Sequence, residues 1–312
     1  MPVFEVARIE LPDFGLTGGG YGTELVPVGD APKVVLSLAS GGAKCPWACV
    51  DVRSGAVAAE RGLRGDVRDG RLDGAGRGWL LTTSALVRVD VAEAPRIVEV
   101  LVPRGLGRYQ SRLLPMGENR YGLCTWPGQT LTVVDVHTSA IVRKIRVPAP
   151  HLSVVGEQTV TLFAPHGGQR MLLRRSDLER LEVAAMPTGT RPWFDDGELV
   201  MVLGERRPIP HSTAWEISRN ALGLFDACTF EEHFRVPMPA RTRDVLGKDT
   251  AGRVVISTDD GLVLADRSTL NEVARLALPT ANGMRSHAFL DAQQAMVMID
   301  DMRPRQVIVA RW

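Results

Sequence analysis

Lysine is scarce in this chain: of 37 cationic side chains only four are lysines, and 36 carboxylates bring the formal charge of 312 residues to +1. With no excess of one sign, general affinity for nucleic acid or for a membrane surface is not expected. Cysteine is equally sparse. Cys45, Cys49, Cys124 and Cys228 are too few for a disulfide framework, so a reducing compartment is the expectation. No run approaches the roughly 18 apolar residues of a spanning helix. The start, Met1-Pro2-Val3-Phe4-Glu5-Val6, lacks the basic region and apolar run of a secretory signal. A cytoplasmic protein is therefore expected. Motifs are missing too: there is no Gly-x-Ser-x-Gly elbow, no EF-hand loop and no redox-cofactor signature. Cys45-x-x-x-Cys49 has no second Cys/His pair at zinc-ribbon spacing, so neither metal nor cofactor is expected. This segment reads as a strand start with one cysteine buried.

What the chain has is repetition. Gly (31) and Pro (20) are spread along its length, and 45% of residues are hydrophobic, enough for a large core. A short β-branched run ending in proline recurs as Ala7–Pro12, Val98–Pro103, Arg143–Pro148, Glu182–Pro187, Phe234–Pro239 and Ala274–Pro279, with a proline-free version closing near Leu63. Within each interval an apolar run (Val34–Leu38, Trp79–Leu81, Val160–Phe163, Leu199–Leu203, Val254–Ile256, Met296–Ile299) precedes a Gly/Pro-rich gap and a second strand such as Leu131–Val136. Alternation and β-branched content favour strands throughout. Four strands per roughly 45 residues is the blade of a β-propeller.

The ends of the chain sharpen this. Gln306–Trp312 fills a third-strand slot and leaves the fourth empty, while Phe4–Leu11 reads as an orphan fourth strand. Pairing them closes a ring with no unpaired edge. The expected fold is all-β: a seven-bladed β-propeller of four-stranded antiparallel blades, one domain over residues 1–312, its last blade completed by residues 3–12. The copy Leu131–Pro148 ("TVVDVHTSAIVRKIRVP"), with weaker echoes at Val50–Gly55 and Ala265–Thr269, resembles the YVTN-type repeat of WD40-like propellers. That resemblance implies architecture only, since such propellers host unrelated activities.

In a propeller, the connection from each outer strand to the next inner strand lies on the same face as the connection between second and third strands, around the channel mouth. Aligning the residues ahead of each inner strand gives Glu24, Arg71, Arg112, His151, Arg191, Arg243 and His287, the last with Arg285 beside it. Six of seven slots are cationic or can become so. Arginines converging on a narrow mouth need a compensating anion, and guanidinium suits bidentate contact with carboxylate or phosphate. The second set of loops adds Trp47, Trp126, His166, His211 and Trp215, and Trp193 follows Arg191. The tryptophans are expected either to wall a pocket or to pack between blades. Gly18–Gly22, which contains Tyr21, reads as a flap over the channel.

Two functions follow. In the first, the mouth binds a small organic anion bearing carboxylate or phosphate, such as a specialised metabolite. Arg71, Arg112, Arg191, Arg243, Arg285, Trp47, Trp126, Trp193, Trp215, His166 and Tyr21 would contact it. His151, His211, His287 and Glu24 would supply metal-free acid–base chemistry of lyase, cyclase or isomerase type. In the second, the ring is a non-catalytic protein-interaction scaffold, which predicts an apolar or charged patch on its rim.

Overall fold

The computed structural model describes residues 4–12, 24–38, 44–102, 110–125, 129–147, 150–208, 215–237, 242–258, 261–277, 287–299 and 306–312. They form seven four-stranded antiparallel sheets. The innermost strands are Val26–Pro27, Val67–Leu72, Gln110–Pro115, Leu152–Val155, Gly189–Asp195, Thr242–Lys248 and His287–Leu290 in blades 1 to 7. Each packs beside the next, and that of blade 7 meets that of blade 1, so the blades form a ring. The outermost strands are Val57–Leu63, Arg96–Leu101, Ala140–Arg146, Arg180–Ala185, Glu232–Pro237 and Glu272–Ala277 in blades 1 to 6. The seventh is Glu5–Glu10, which pairs antiparallel with Gln306–Arg311, Glu5 opposite Arg311. This is the closure expected from the two chain ends.

The reason for the apolar runs is now physical. Side chains alternate between the two faces of a strand, and the middle strands of each blade are covered on both faces by neighbouring blades. In Lys33–Ser37, Val34 and Leu36 point into the cluster shared by blades 7 and 1, and Val35 into that shared by blades 1 and 2. In Val254–Thr258, Val254 and Ile256 serve the 5/6 junction and Val255 the 6/7 junction. Blades 2/3, 3/4 and 4/5 enclose the remaining clusters. The core is thus a set of sandwiches, one at each blade junction.

The outer strands are different. Their outward edges have no partner strand in the ring, and most of their residues are exposed. The described prolines fit this position: Pro12 and Pro187 lie two residues beyond their edge strands and Pro237 ends its own, where proline withholds an N–H from any chain that would add to the sheet.

The YVTN-like signal is a turn between third and fourth strands. Asp135 Oδ1 accepts the backbone N–H groups of His137 (2.9 Å) and Thr138 (3.0 Å). Asp51 does the same for Arg53 and Ser54, Asp226 for Cys228 and Thr229, and Asp266 for Ser268 and Thr269. The residue after this loop of bonds is left-handed: Gly55, Ser139, Phe230 and Leu270 have φ of 76°, 55°, 58° and 55°. An aspartate that mimics a backbone turn is the physical content of the motif.

Arginine ties the blades together on that same face. Arg120 donates to the carbonyl of Ser176 (2.9 Å), Arg143 to that of Asp177 (2.7 Å) and Arg170 to that of Cys228 (2.6 Å). Arg53 reaches Gln293 Oε1 (2.6 Å), and Arg311 the carbonyl of Val52. Five arginines are thereby spent across blade junctions, where a five-donor fork satisfies carbonyl oxygens near turns.

Candidate functional site

The mouth of the channel is built by the starts of the inner strands, and four of these starts are irregular. The pairing of inner with second strand slips between Val67 and Asp69, Gln110 and Arg112, Thr190 and Trp193, and Thr242 and Asp244. A bulge re-aims the side chain it carries. The residues on these bulges are Arg68, Ser111, Arg191-Pro192 and Arg243. The register therefore corrects one expectation: in blade 2 the counterpart of Arg243-Asp244 is Arg68-Asp69, and Arg71 lies three residues, about 10 Å, further down the strand. Arg71 is held there by Asp69 (3.3 Å) and the Gly70 carbonyl (2.8 Å). The repeated Arg-Asp dipeptide was the sequence signal that would have found Arg68.

The aspartate of that dipeptide works between blades. Asp69 Oδ2 accepts the backbone N–H of Leu113 in blade 3 at 2.8 Å, and Asp244 is buried in the equivalent place. Arg68 stands beside Asp66, with 3.9 Å between guanidinium and carboxylate. Glu24 is exposed and donates its backbone N–H to the Val67 carbonyl (3.0 Å), which puts it at the mouth end of blade 2. Arg112, half-buried at the start of blade 3, pairs across to Cys124, whose thiol burial pushes up to about 12 against the opposing pull of Arg112.

Blade 4 brings two predicted residues together. His151 donates its backbone N–H to Phe163 (2.9 Å), and its ring stacks on that of His166 with centroids 5.2 Å apart and 25° between planes. His166 is placed by the 3-10 turn Pro165–Gly167, which ends on the left-handed Gly168 (φ 60°). Thus the second-to-third connection of blade 4 folds back over the start of its own inner strand.

Other expectations are corrected. Trp47 does not wall a pocket: it is fully buried between blades 1 and 2 with Val35, Leu63 and Leu80, because it lies on a middle strand, Cys45–Asp51, covered on both faces. Cys45 and Cys49 on that strand are both buried, not one of them. Trp193 is half-buried against the 5/6 core, directly after its bulge. Half of the expected blade 5 insertion is sheet: Glu198–Pro208 and Trp215–Asp226 pair as far as Pro208 opposite Trp215, extending the hairpin beyond the blade, while residues 209–214 lie outside the described residues. The backbones of Arg191, Arg243 and His287 lie at the starts of their inner strands as expected. Tyr21, Trp126, His211 and Arg285 lie outside the described residues.

Away from the mouth, the described concave spaces lie on the side of the ring. Two adjoining cavities of 620 and 340 Å³ occupy the cleft between the outer parts of blades 3 and 4, and a third of 400 Å³ lies between blades 5 and 6. Exposed large apolar side chains gather there as well: Val98, Val100, Val142, Leu181, Val183, Phe234 and Val273 are all on outer strands. Sequence reasoning missed this surface because outer-strand alternation resembles that of any half-buried strand. Among the described residues no three His, Cys, Asp or Glu side chains converge as a metal site, and no helix is long and apolar enough to cross a membrane.

Comparison with known proteins identifies architecture. No protein-family model and no curated protein sequence matches the chain. Among solved structures, the Neurospora crassa Pan2 WD40 domain superposes with a TM-score of 0.70 at 11% identity, over 97% of this chain and 93% of that one. A chain from a structure of the mitotic checkpoint complex gives 0.70 at 9% identity, over 98% and 91%. One from Kuenenia stuttgartiensis hydrazine synthase gives 0.66 at 11%, over 94% and 96%. Identities this low speak for the fold alone: the chain folds as a seven-bladed β-propeller, similar in architecture to WD40 domains.

Proposed function

We propose that this propeller is a protein-interaction platform whose working surface is the side of the ring. The observation that carries the reading is the coincidence, on the outer strands, of exposed Leu181 and Val183 with the cleft between blades 3 and 4 and of exposed Phe234 with that between blades 5 and 6. Apolar side chains beside a cleft, rimmed by charge, are the usual make-up of a recognition surface. One structural neighbour comes from a multiprotein assembly, the mitotic checkpoint complex, which is in keeping with this use of the fold. The test is site-specific photo-crosslinking in the producing cells, with the photoreactive residue at Leu181, at Phe234 or, as control, at His166. A discrete crosslinked partner from a rim position supports the platform. Adducts from His166 alone, or none at any position, overturn it.

A second reading keeps the mouth as a small-anion site. Its support is the stacked pair His151–His166, with Arg68, Arg112, Arg191, Arg243 and His287 on the first halves of their inner strands. In this reading the arginines anchor a carboxylate or phosphate, and His151, His211 or His287 moves a proton. A thermal-shift screen of small carboxylates and phosphates tests it: shifts lost in Arg112→Ala and Arg243→Ala favour the mouth, and equal or absent shifts count against it.

A further inference from the structure

The cleft between blades 3 and 4 has a charge imbalance that its own residues leave unresolved. Blades radiate from the channel, so neighbouring outer strands diverge and leave a wedge; here Ala140–Arg146 forms one lip and Arg180–Ala185 the other. Its floor is the buried thioether of Met171. Leu181 and Val183, on the blade 4 lip, are 47% and 44% exposed. Four cations line the wedge: Arg143, Lys144, Arg146 and Arg180.

Two carboxylates line it too, and both are engaged. Glu182 is held by Arg170 (2.5 Å), which lies largely inside the next junction, that of blades 4 and 5, and Glu179 by Arg174 (2.7 Å). Arg143 spends one donor on the Asp177 carbonyl but keeps its charge. Lys144, Arg146 and Arg180 have no carboxylate partner among the described residues. Four cations without a carboxylate partner among the described residues, three of them with no side-chain hydrogen bond there either, beside an exposed Leu/Val pair and an apolar floor, would gain from an occupant with the opposite pattern.

We propose that this cleft binds an extended acidic segment of a partner protein, with an apolar side chain on Leu181, Val183 and Met171 and Asp or Glu residues on Lys144, Arg146 and Arg180. The lips are six to seven residues long, about 20 Å at the rise of a strand, which fits a segment of about six residues. Nucleic acid shares the negative charge but not the apolar element, and a whole-chain charge of +1 gives it no wider footprint. The inference deepens the platform reading by naming one subsite and the chemistry of its partner.

The test uses fluorescence anisotropy with the whole protein and a labelled six-residue peptide that has one leucine between flanking glutamates. A lysine-for-glutamate peptide, poly-glutamate and a twelve-nucleotide single strand of DNA are the comparisons. The acidic leucine peptide is expected to bind, to weaken with salt, and to lose at least about tenfold in affinity on Arg146→Glu/Arg180→Glu and on Leu181→Asp. Hydrogen exchange on the wild type, independent of any variant's folding, is expected to slow in residues 140–146 and 180–185. No binding, equal binding by the variants, protection at another junction, or binding of poly-glutamate or DNA as tight as that of the peptide would each overturn the proposal. A partner crosslinked only from Phe234 would leave the platform standing while this subsite fell.

Discussion

Arg267 of blade 6 bridges two carboxylates of blade 5, donating to Asp195 at 3.0 Å and to Glu198 at 2.8 Å. Lys248 closes the group from the blade 6 inner strand by reaching the same Asp195 oxygen. The group is about one-third exposed, so solvent screens it. Arg267→Ala is expected to cost about 1 kcal/mol, read as a lower urea midpoint at unchanged slope. Arg267→Lys recovers only part, because a single ammonium cannot span both acids.

The aspartates of the turns set a direction of pH dependence. The backbone N–H of Thr138 holds the Asp135 carboxyl below its usual range, that of Thr229 does so for Asp226, and the Ser268 hydroxyl for Asp266. Lys248 does the same for Asp195. A folded-state pKa below the unfolded value contributes stability that is fully present above the ordinary aspartate pKa of about 3.9 and is lost as pH falls through the folded value. Melting temperature should therefore owe no slope to these groups between pH 6 and 8 and decline below about pH 4. Asp135→Asn, which keeps the turn geometry without the titration, should flatten that decline.

Ser139 and Leu270 occupy the same left-handed turn position, at φ of 55° each, yet substitution should act on them oppositely. Ser139 is exposed, so Ser139→Gly removes a Cβ penalty and is expected to stabilise by about 0.5–1 kcal/mol. Leu270 is buried in the 5/6 core, and Leu270→Gly should destabilise by about 2–4 kcal/mol as the cavity outweighs the relief. Thermal denaturation of the two variants checks the sign.

Thiol reactivity should separate one cysteine from three. Burial pushes Cys49 up to about 11 and Cys124 to about 12 and raises Cys45, while Cys228 lies exposed after the Asp226 turn. Iodoacetamide at pH 8 is expected to label Cys228 in the native protein and all four in denaturant, by mass. Rapid native labelling of Cys49 would show that blade 1 opens.

Seven blades and their closing strand were legible because middle strands, covered on both faces, must be apolar throughout, and because edge strands end in proline. The Asp-x-x-Thr turn was legible as a motif though not as a backbone mimic. Trp47 misled because a tryptophan near a glycine-rich gap reads equally as a loop wall or as core. Arg71 misled because the inner strand of blade 2 begins at Val67, where the polar Arg68-Asp69 bulge hides its start, and Leu72 is its end; only the Arg68-Asp69/Arg243-Asp244 echo reveals it. The cleft of blades 3 and 4 was hidden for a different reason: Arg146 and Arg180 sit on separate repeats, and only the ring brings them together.

The closing strand pair sets how the ring responds to tension. Because Glu5 stands opposite Arg311 and Glu10 opposite Gln306, both chain ends emerge at the same end of one ladder. A pull between them loads a single rung at a time, peeling the ladder open as a zipper opens, whereas the same bonds pulled along the strands would share the force. The ring is thus weakest to traction at its own seam, and an optical-trap experiment gripping both ends should see that seam part at low force before any blade unfolds.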